Sequence, residues 1–248
     1  VEEKKYLKWY NKVGYGSGDL AANCIYALLT SFVMIYLTDT VGLNAGIIGT
    51  LIMFSKFADG ITDVFFGNLI DKTKSKMGKA RPWMLYAQIG NCILLVAVFA
   101  IPASLGKTAQ YAYFFITYTL LNAVFYTANN IAYASLTSLI TRNGNERVQM
   151  GSIRFMFSLA TNIIVQSITV GLVTNFGGGA EGWRTVAIIY AIIAFIVNAI
   201  SVFSVKELPP EEMGTENTES SEEKISFMES MKLLLKNKYF LMIAAFYI

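Results

Sequence analysis

Residues 46–70 read GIIGTLIMFSKFADGITDVFFGNLI, a largely apolar run whose only charges are Lys56, Asp59 and Asp63. A helix rises 1.5 Å per residue, so about 20 such residues cross the roughly 30 Å of bilayer hydrocarbon. This stretch is therefore read as a transmembrane helix that carries charge in its interior. Five further stretches have comparable length and character: 14–37, 83–103, 111–136, 151–173 and 185–205. Composition agrees, because 54% of the 248 residues are hydrophobic and only 15% are charged, against about a quarter charged in soluble domains. The first stretch is too long and too rich in Gly and Tyr for a signal peptide, and no small-residue cleavage site follows it.

The loops between these stretches alternate in charge. Residues 1–12, 71–81, 141–150 and 206–238 hold sixteen of the twenty Lys and Arg residues. The opposite loops, 41–45, 104–110 and 175–184, contribute only Lys107 and Arg184. The positive-inside rule then places the N-terminus and the middle loop in the cytoplasm of a multi-pass protein of the cell (inner) membrane.

Three regions follow from this pattern. Residues 1–205 form a six-helix transmembrane domain, and 206–238 form a cytoplasmic middle loop. Within that loop, 207–229 holds eight acids and two prolines and reads as a solvated linker. Ile225, Met228, Met231 and Leu235 then recur at helical spacing, which fits either an amphipathic helix on the membrane surface or a plain connector. Residues 239–248 are apolar but too few to span, and read as the start of a seventh helix. With no methionine at Val1, the expectation is a piece of a longer protein.

Charge within a span costs about 2.5–3.5 kcal/mol at mid-depth, so Asp19, Lys56, Asp59, Asp63 and Arg154 are functional candidates. Lys56, Asp59 and Asp63 are spaced i, i+3, i+7 and share one helical face with Thr62 beside them. One ammonium against two carboxylates leaves a formal charge of −1, which a monovalent cation or a proton cancels. Carboxylate and hydroxyl oxygens suit hard cations. A structural ion pair with one protonated carboxyl is the alternative. On the fourth span, Asn122, Tyr126 and Asn130 form a polar stripe suited to a hydroxyl-rich ligand or to interhelical hydrogen bonds. Arg154 either reaches a ligand or extends to the headgroups.

The absence of histidine excludes Ser-His-Asp and Cys-His nucleophiles and histidine metal sites. Cys24 and Cys92 lie in apolar stretches and read as packing residues. A net charge of +3 gives no basis for nucleic-acid binding. Residues 16–19, Gly-Ser-Gly-Asp, match the GxGD pattern of intramembrane aspartyl proteases, but that chemistry needs a second aspartate in a Tyr-Asp pair, and no Tyr-Asp dipeptide occurs. A six-helix oligomeric channel is a further alternative.

Longer motifs are more specific: Tyr15-Gly16-Ser17-Gly18-Asp19, Tyr36-Leu37-Thr38-Asp39, Asp59-Gly60-Ile61-Thr62-Asp63, the run from Asp71 to Trp83, Asn130 to Leu136, and Glu146-Arg147. In order and spacing they resemble the glycoside/pentoside/hexuronide:cation symporter family, that of the melibiose permease, within the major facilitator superfamily. The resemblance implies the N-terminal six helices of a twelve-helix all-α fold, which would pair with a C-terminal half. It implies no enzyme activity and no cofactor, but uptake of a sugar coupled to Na⁺, Li⁺ or H⁺ by alternating access. It places a cation site on Asp59, Asp63, Thr62 and Thr127, and a sugar site on Asn23, Tyr126, Asn130 and Arg154. Asp19, Lys56, Asp71, Lys79 and Arg81 take gating or charge-balancing positions. Asn23 and Asn130 replace aspartates of the melibiose permease pattern, and Ala134 replaces a tryptophan, so melibiose itself is not implied.

Overall fold

The computed structural model of the protein describes residues 4–209 and 212. Residues up to Glu207 form one compact unit, and the chain from Leu208 is a separate one. The proposed surface helix over 225–238 and the start of a seventh helix at 239–248 lie outside the described residues. Within these, every regular element is helical. The elements are α1 (Trp9–Gly16), α2 (Gly18–Ile35), α3 (Ala45–Asp71), α4 (Arg81–Val98), α5 (Lys107–Thr119), α6 (Thr127–Ile140), α7 (Gly144–Asn175) and α8 (Gly179–Ser204). Two π-helical segments, Tyr36–Thr40 and Leu120–Tyr126, extend α2 and join α5 to α6.

Six rods result, running 9–40, 45–71, 81–98, 107–140, 144–175 and 179–204. Four of them, Trp9–Thr40, Ala45–Asp71, Gly144–Asn175 and Gly179–Ser204, are long and apolar enough to cross a membrane. The other two carry the amides that the core needs. Gln88 and Asn91 of α4 and Asn129 of α6 are buried, and their polarity lowers the mean hydropathy of the rods that hold them.

Local chemistry starts and stops the rods. Asn44 caps α3 by accepting from the Gly46 and Ile47 amides, and Asn143 caps α7 by accepting from Glu146. Pro82 opens α4, where its missing N–H has no helical partner to lose. Gly177, Gly178 and Gly179 all have positive φ, a conformation only glycine adopts without cost, and they turn the chain from α7 into α8.

The core forms where α2, α4 and α8 meet. Phe99 stacks on Trp183 at 5.8 Å, with Phe32 and Tyr36 against the same indole. A polar knot ties α4, α6 and α8: the Met84 carbonyl accepts from Asn129 Nδ2 at 2.8 Å and Asn198 Nδ2 at 3.0 Å. Such interhelical bonds contribute about 0.6–2 kcal/mol each in a membrane. Cys24 and Cys92 are free thiols, and Cys92 donates to the Ala191 carbonyl.

Among the described residues, the basic stretches 4–12, 71–81 and 141–150 and the start of the middle loop gather at one end of the bundle. There Glu146, 2% exposed, accepts from the Tyr6 and Leu7 amides, from Thr141 Oγ1 and from Lys12 Nζ. Glu207 sits there too and accepts from the backbone amides of Lys79, Ala80 and Arg81. This differs from its reading as the first residue of a solvated linker: its carboxylate fills the positive N-terminus of α4. At the opposite end, Lys107 Nζ donates to the Val41 and Gly42 carbonyls, and the Asn44 amide to Tyr111 Oη.

The α7–α8 turn is packed to backbone contact. A Cβ on Gly182 would lie 2.4 Å from the Val173 carbonyl oxygen, whereas one on Gly171 would meet nothing within 4 Å. Gly182→Ala is expected to destabilise the protein by about 1–3 kcal/mol, read as a lower melting midpoint in detergent. Gly171→Ala should leave the midpoint unchanged or raise it.

Candidate functional site

The charged face of α3 meets the π-helical segment. Asp59 Oδ2 accepts from Lys56 Nζ at 3.1 Å on its own helix and from Asn122 Nδ2 at 3.1 Å on the facing rod. The Lys56 side chain is 48% exposed and that of Asp59 21%, so the amide, which is buried, fixes the carboxylate more firmly than the solvated ammonium does. Asp59 Oδ1 is buried and has no hydrogen-bond partner among the described residues. A free carboxylate oxygen in that position fits a hard cation. Among the described residues no three His, Cys, Asp or Glu side chains converge, so any cation ligands beyond the carboxylates must be neutral oxygens.

Thr62 donates its hydroxyl proton to the Ala58 and Asp59 carbonyls, and Thr127 donates to the Asn122 carbonyl five residues back. Both hydroxyls are thereby oriented on their own helices, with lone pairs left free. Asn122 serves twice, holding Asp59 with its amide and Thr127 with its carbonyl.

Asp63 is exposed and lines an open groove of about 490 Å³ with Val64, Asn130, Ile131, Ala134 and Ser135. A candidate cation residue and a candidate sugar residue thus line the same open groove. Tyr126, one turn before Asn130, stacks on Tyr26 with centroids 5.6 Å apart.

A second cluster joins α2, α6 and α7. Arg154 Nε donates to Asp19 Oδ2 at 2.6 Å, and Tyr133 Oη reaches the same oxygen at 3.3 Å. The guanidinium lies 4.1 Å from the Tyr133 ring centroid, a cation–π contact. Arg154 therefore turns inward to a carboxylate and not toward headgroups. Asp19 faces this cation, so the paired carboxylates that a GxGD protease requires are not assembled around it. Asn23 donates to the Asp19 carbonyl and accepts from Asn162 Nδ2 at 2.7 Å.

The gating candidates separate. Asp71 is exposed at the end of α3, and the Lys79 side chain is exposed while its backbone amide binds Glu207. Arg81 is a tether, donating from Nε to the Val202 carbonyl at 2.9 Å. Asn162 and Glu207 carry none of the candidate-site signals above, and Glu146 entered only as part of a motif, since their reach to Asn23, to the amides of 79–81 and to those of Tyr6 and Leu7 spans more than a hundred residues.

Charged and amide groups held between helices long and apolar enough to cross a bilayer are the arrangement of a multi-pass membrane protein. Residues 14–248 match the family described as MFS/sugar transport protein, and the chain belongs to that family. It is 34% identical over 243 residues to the isoprimeverose transporter of Lactiplantibacillus pentosus, covering 96% of this chain and 48% of that one. It is 32% identical to the uncharacterized symporter YnaJ of Bacillus subtilis, covering 100% and 52%, and 33% identical to the inner membrane symporter YicJ of Escherichia coli, covering 83% and 45%. The chain spans about half the length of these relatives.

The Asp19–Arg154 pair makes a measurable demand. Asp19→Asn or Arg154→Gln alone leaves a partly buried charge without its partner and is expected to cost about 2–3 kcal/mol. The double variant should cost less than the sum of the two, by melting midpoints of the purified protein.

Proposed function

We propose that the protein is a cation-coupled sugar symporter of the cell (inner) membrane, and that residues 1–205 form the N-terminal half of its twelve-helix fold. In this reading 206–238 is the cytoplasmic middle loop, 239–248 begins helix seven, and the basic loops face the cytoplasm. The observation that carries the reading is the shared groove, which Asp63 and Asn130 both line, while Asp59 is bonded to Asn122 of the rod that bears Asn130.

Asp59 and Asp63 take the coupling cation, with Thr62 and Thr127 supplying neutral oxygens. Binding there removes the net negative charge beside the groove and sets the α3 face against the fourth rod. Asn130, Tyr126, Asn23 and Arg154 then present amide, phenol and guanidinium donors to sugar hydroxyls. Because the two sites share a wall, occupancy of one raises affinity at the other, and linkage makes the effect reciprocal. The sparse burial of α3 and α7, 12% and 22% of their spans against 56% for residues 9–40, supports their facing lipid or a second half. Rocking of two halves about a site between them gives alternating access. Asp71, Lys79 and Lys56 are free to exchange partners during that motion.

The coupling is tested in vesicles with the full-length protein and labelled glycosides, pentosides and hexuronides under separate Na⁺, Li⁺ and H⁺ gradients. One gradient should drive accumulation in the wild type, and Asp59→Cys should reduce it to the level without a gradient. Undiminished cation-driven accumulation in Asp59→Cys would refute the assignment.

A further inference from the structure

The first rod runs from Trp9 to Thr40, 32 residues, or about 48 Å at 1.5 Å per residue. That exceeds the roughly 40–45 Å of a bilayer with its headgroups, so the end at Trp9 reaches headgroup level. The chain before it is fastened to the bundle. Glu146 accepts from the Tyr6 and Leu7 amides, Asn143 Nδ2 donates to the Lys4 carbonyl at 3.1 Å, and Asn11 Nδ2 donates to the Ser204 carbonyl at 2.6 Å. One side of α1 is pressed onto α7 and α8: a Cβ on Gly14 would lie 2.5 Å from Ser204 Cβ, and one on Gly16 2.5 Å from Ile153 Cγ2.

The other side is bare. Trp9 is 76% exposed, Tyr10 50% and Val13 38%, and Trp9 and Val13 share a face at i, i+4. The Trp9 and Tyr10 rings meet edge to face at 6.1 Å, and Lys8 Nζ lies 5.7 Å from the Tyr10 ring centroid. Lys5 and Lys8 are exposed beside these rings. Residues 4–12 and 141–150 together hold six Lys and Arg but one acid, Glu146. Its buried carboxylate is already taken by Lys12 and by backbone amides. Lys5 and Lys8 therefore have no carboxylate partner among the described residues. Depth follows the sequence: Val13 lies about 6 Å further along the rod than Trp9, and both lysines precede it.

We propose that residues 5–13 form a binding surface for an anionic phospholipid, with Lys5 and Lys8 on its phosphate and Trp9, Tyr10 and Val13 against its glycerol and upper acyl chain. Charge complementarity selects an anionic headgroup, because two uncompensated ammonium groups stand where the headgroup layer begins. The rings select a lipid over free phosphate: an amphipathic tryptophan and tyrosine at the end of a span suit the membrane interface, whereas inorganic phosphate makes no use of them. Fixing the segment to α7 and α8 pre-organises the surface. The proposal requires only that the rods cross a bilayer, and is independent of the solute carried and of any coupling ion. Each lysine near an anionic surface strengthens association about fivefold, so the pair gives a preference of roughly twentyfold over a zwitterionic lipid.

The test is quenching of Trp9 fluorescence in nanodiscs of the full-length protein and phosphatidylcholine, doped with brominated phosphatidylglycerol or brominated phosphatidylcholine. The Trp9 signal is the difference between wild type and Trp9→Phe, and melting midpoints verify folding. Phosphatidylglycerol should show the roughly twentyfold higher relative affinity. Lys5→Gln/Lys8→Gln should bring the ratio close to one, while Lys5→Arg/Lys8→Arg, which keeps the charge, should retain it. Lys107→Gln, at the opposite end of the bundle, should leave it unchanged. Equal quenching by both lipids in the wild type overturns the site, as does a preference that survives Lys5→Gln/Lys8→Gln. Absence of quenching by either lipid places Trp9 outside the bilayer and overturns it too. Loss of the preference on adding water-soluble glycerophosphate assigns the lysines to free phosphate and overturns the lipid. Should Lys5→Gln/Lys8→Gln fail to fold, salt decides on the wild type: the preference should collapse at about 0.5 M, and a salt-independent preference overturns the site.

Discussion

The hydrogen bond from Asn122 to Asp59 joins the only helix with three interior charges to the only interior π-helical segment in the described bundle. In hydrocarbon a carboxylate must be held by donors or counter-ions from the protein itself. Lys56 is too exposed to meet that demand alone, and the buried amide of Asn122 is the second donor to Oδ2. The Asp59–Asn122 bond fixes the register of α3 along the 107–140 rod, and that register determines what faces the groove. Asp63 and Asn130 come together because Asp59 and Asn122 do.

The same rule accounts for the other charged groups and for the amides at the centre of the bundle. Asp19 and Arg154 neutralise each other under the Tyr133 ring, and the Met84 carbonyl gathers two asparagines from different helices. At the basic end, Glu146 and Glu207 saturate backbone amides in place of water. Apolar packing holds α2, α4 and α8, but the polar contacts select which face of each rod turns inward.

The rods were legible in the sequence because lipid imposes a length and a composition that hydropathy reads directly. Alternating loop charge likewise grouped the stretches 4–12, 71–81 and 141–150 that meet at one end. The face shared by Lys56, Asp59 and Asp63 was legible because i, i+3 and i+7 hold within one helix. What spacing does not carry is contact across helices. Asn122 was visible as a polar residue of the fourth span, yet its partner was not, since Asp59 lies 63 residues away on another rod. Arg154 left two readings open until Asp19 was found beside it, 135 residues away. Glu207 was misread for a related reason: it stands at the head of an acidic run, and composition averaged over that run hides one residue folded back onto α4.

That fold-back has a mechanical meaning. The chain leaves α8 at Ser204 and within three residues is pinned through Glu207 to three successive amides at the head of α4, while Arg81 grips the Val202 carbonyl from the other side. A pull on the chain beyond residue 207 is therefore delivered to the base of α4 in the middle of the bundle, and the last turn of α8 is shielded from unwinding. The connection works as a strain relief, passing force into a helix that packs against α5, α6 and α8.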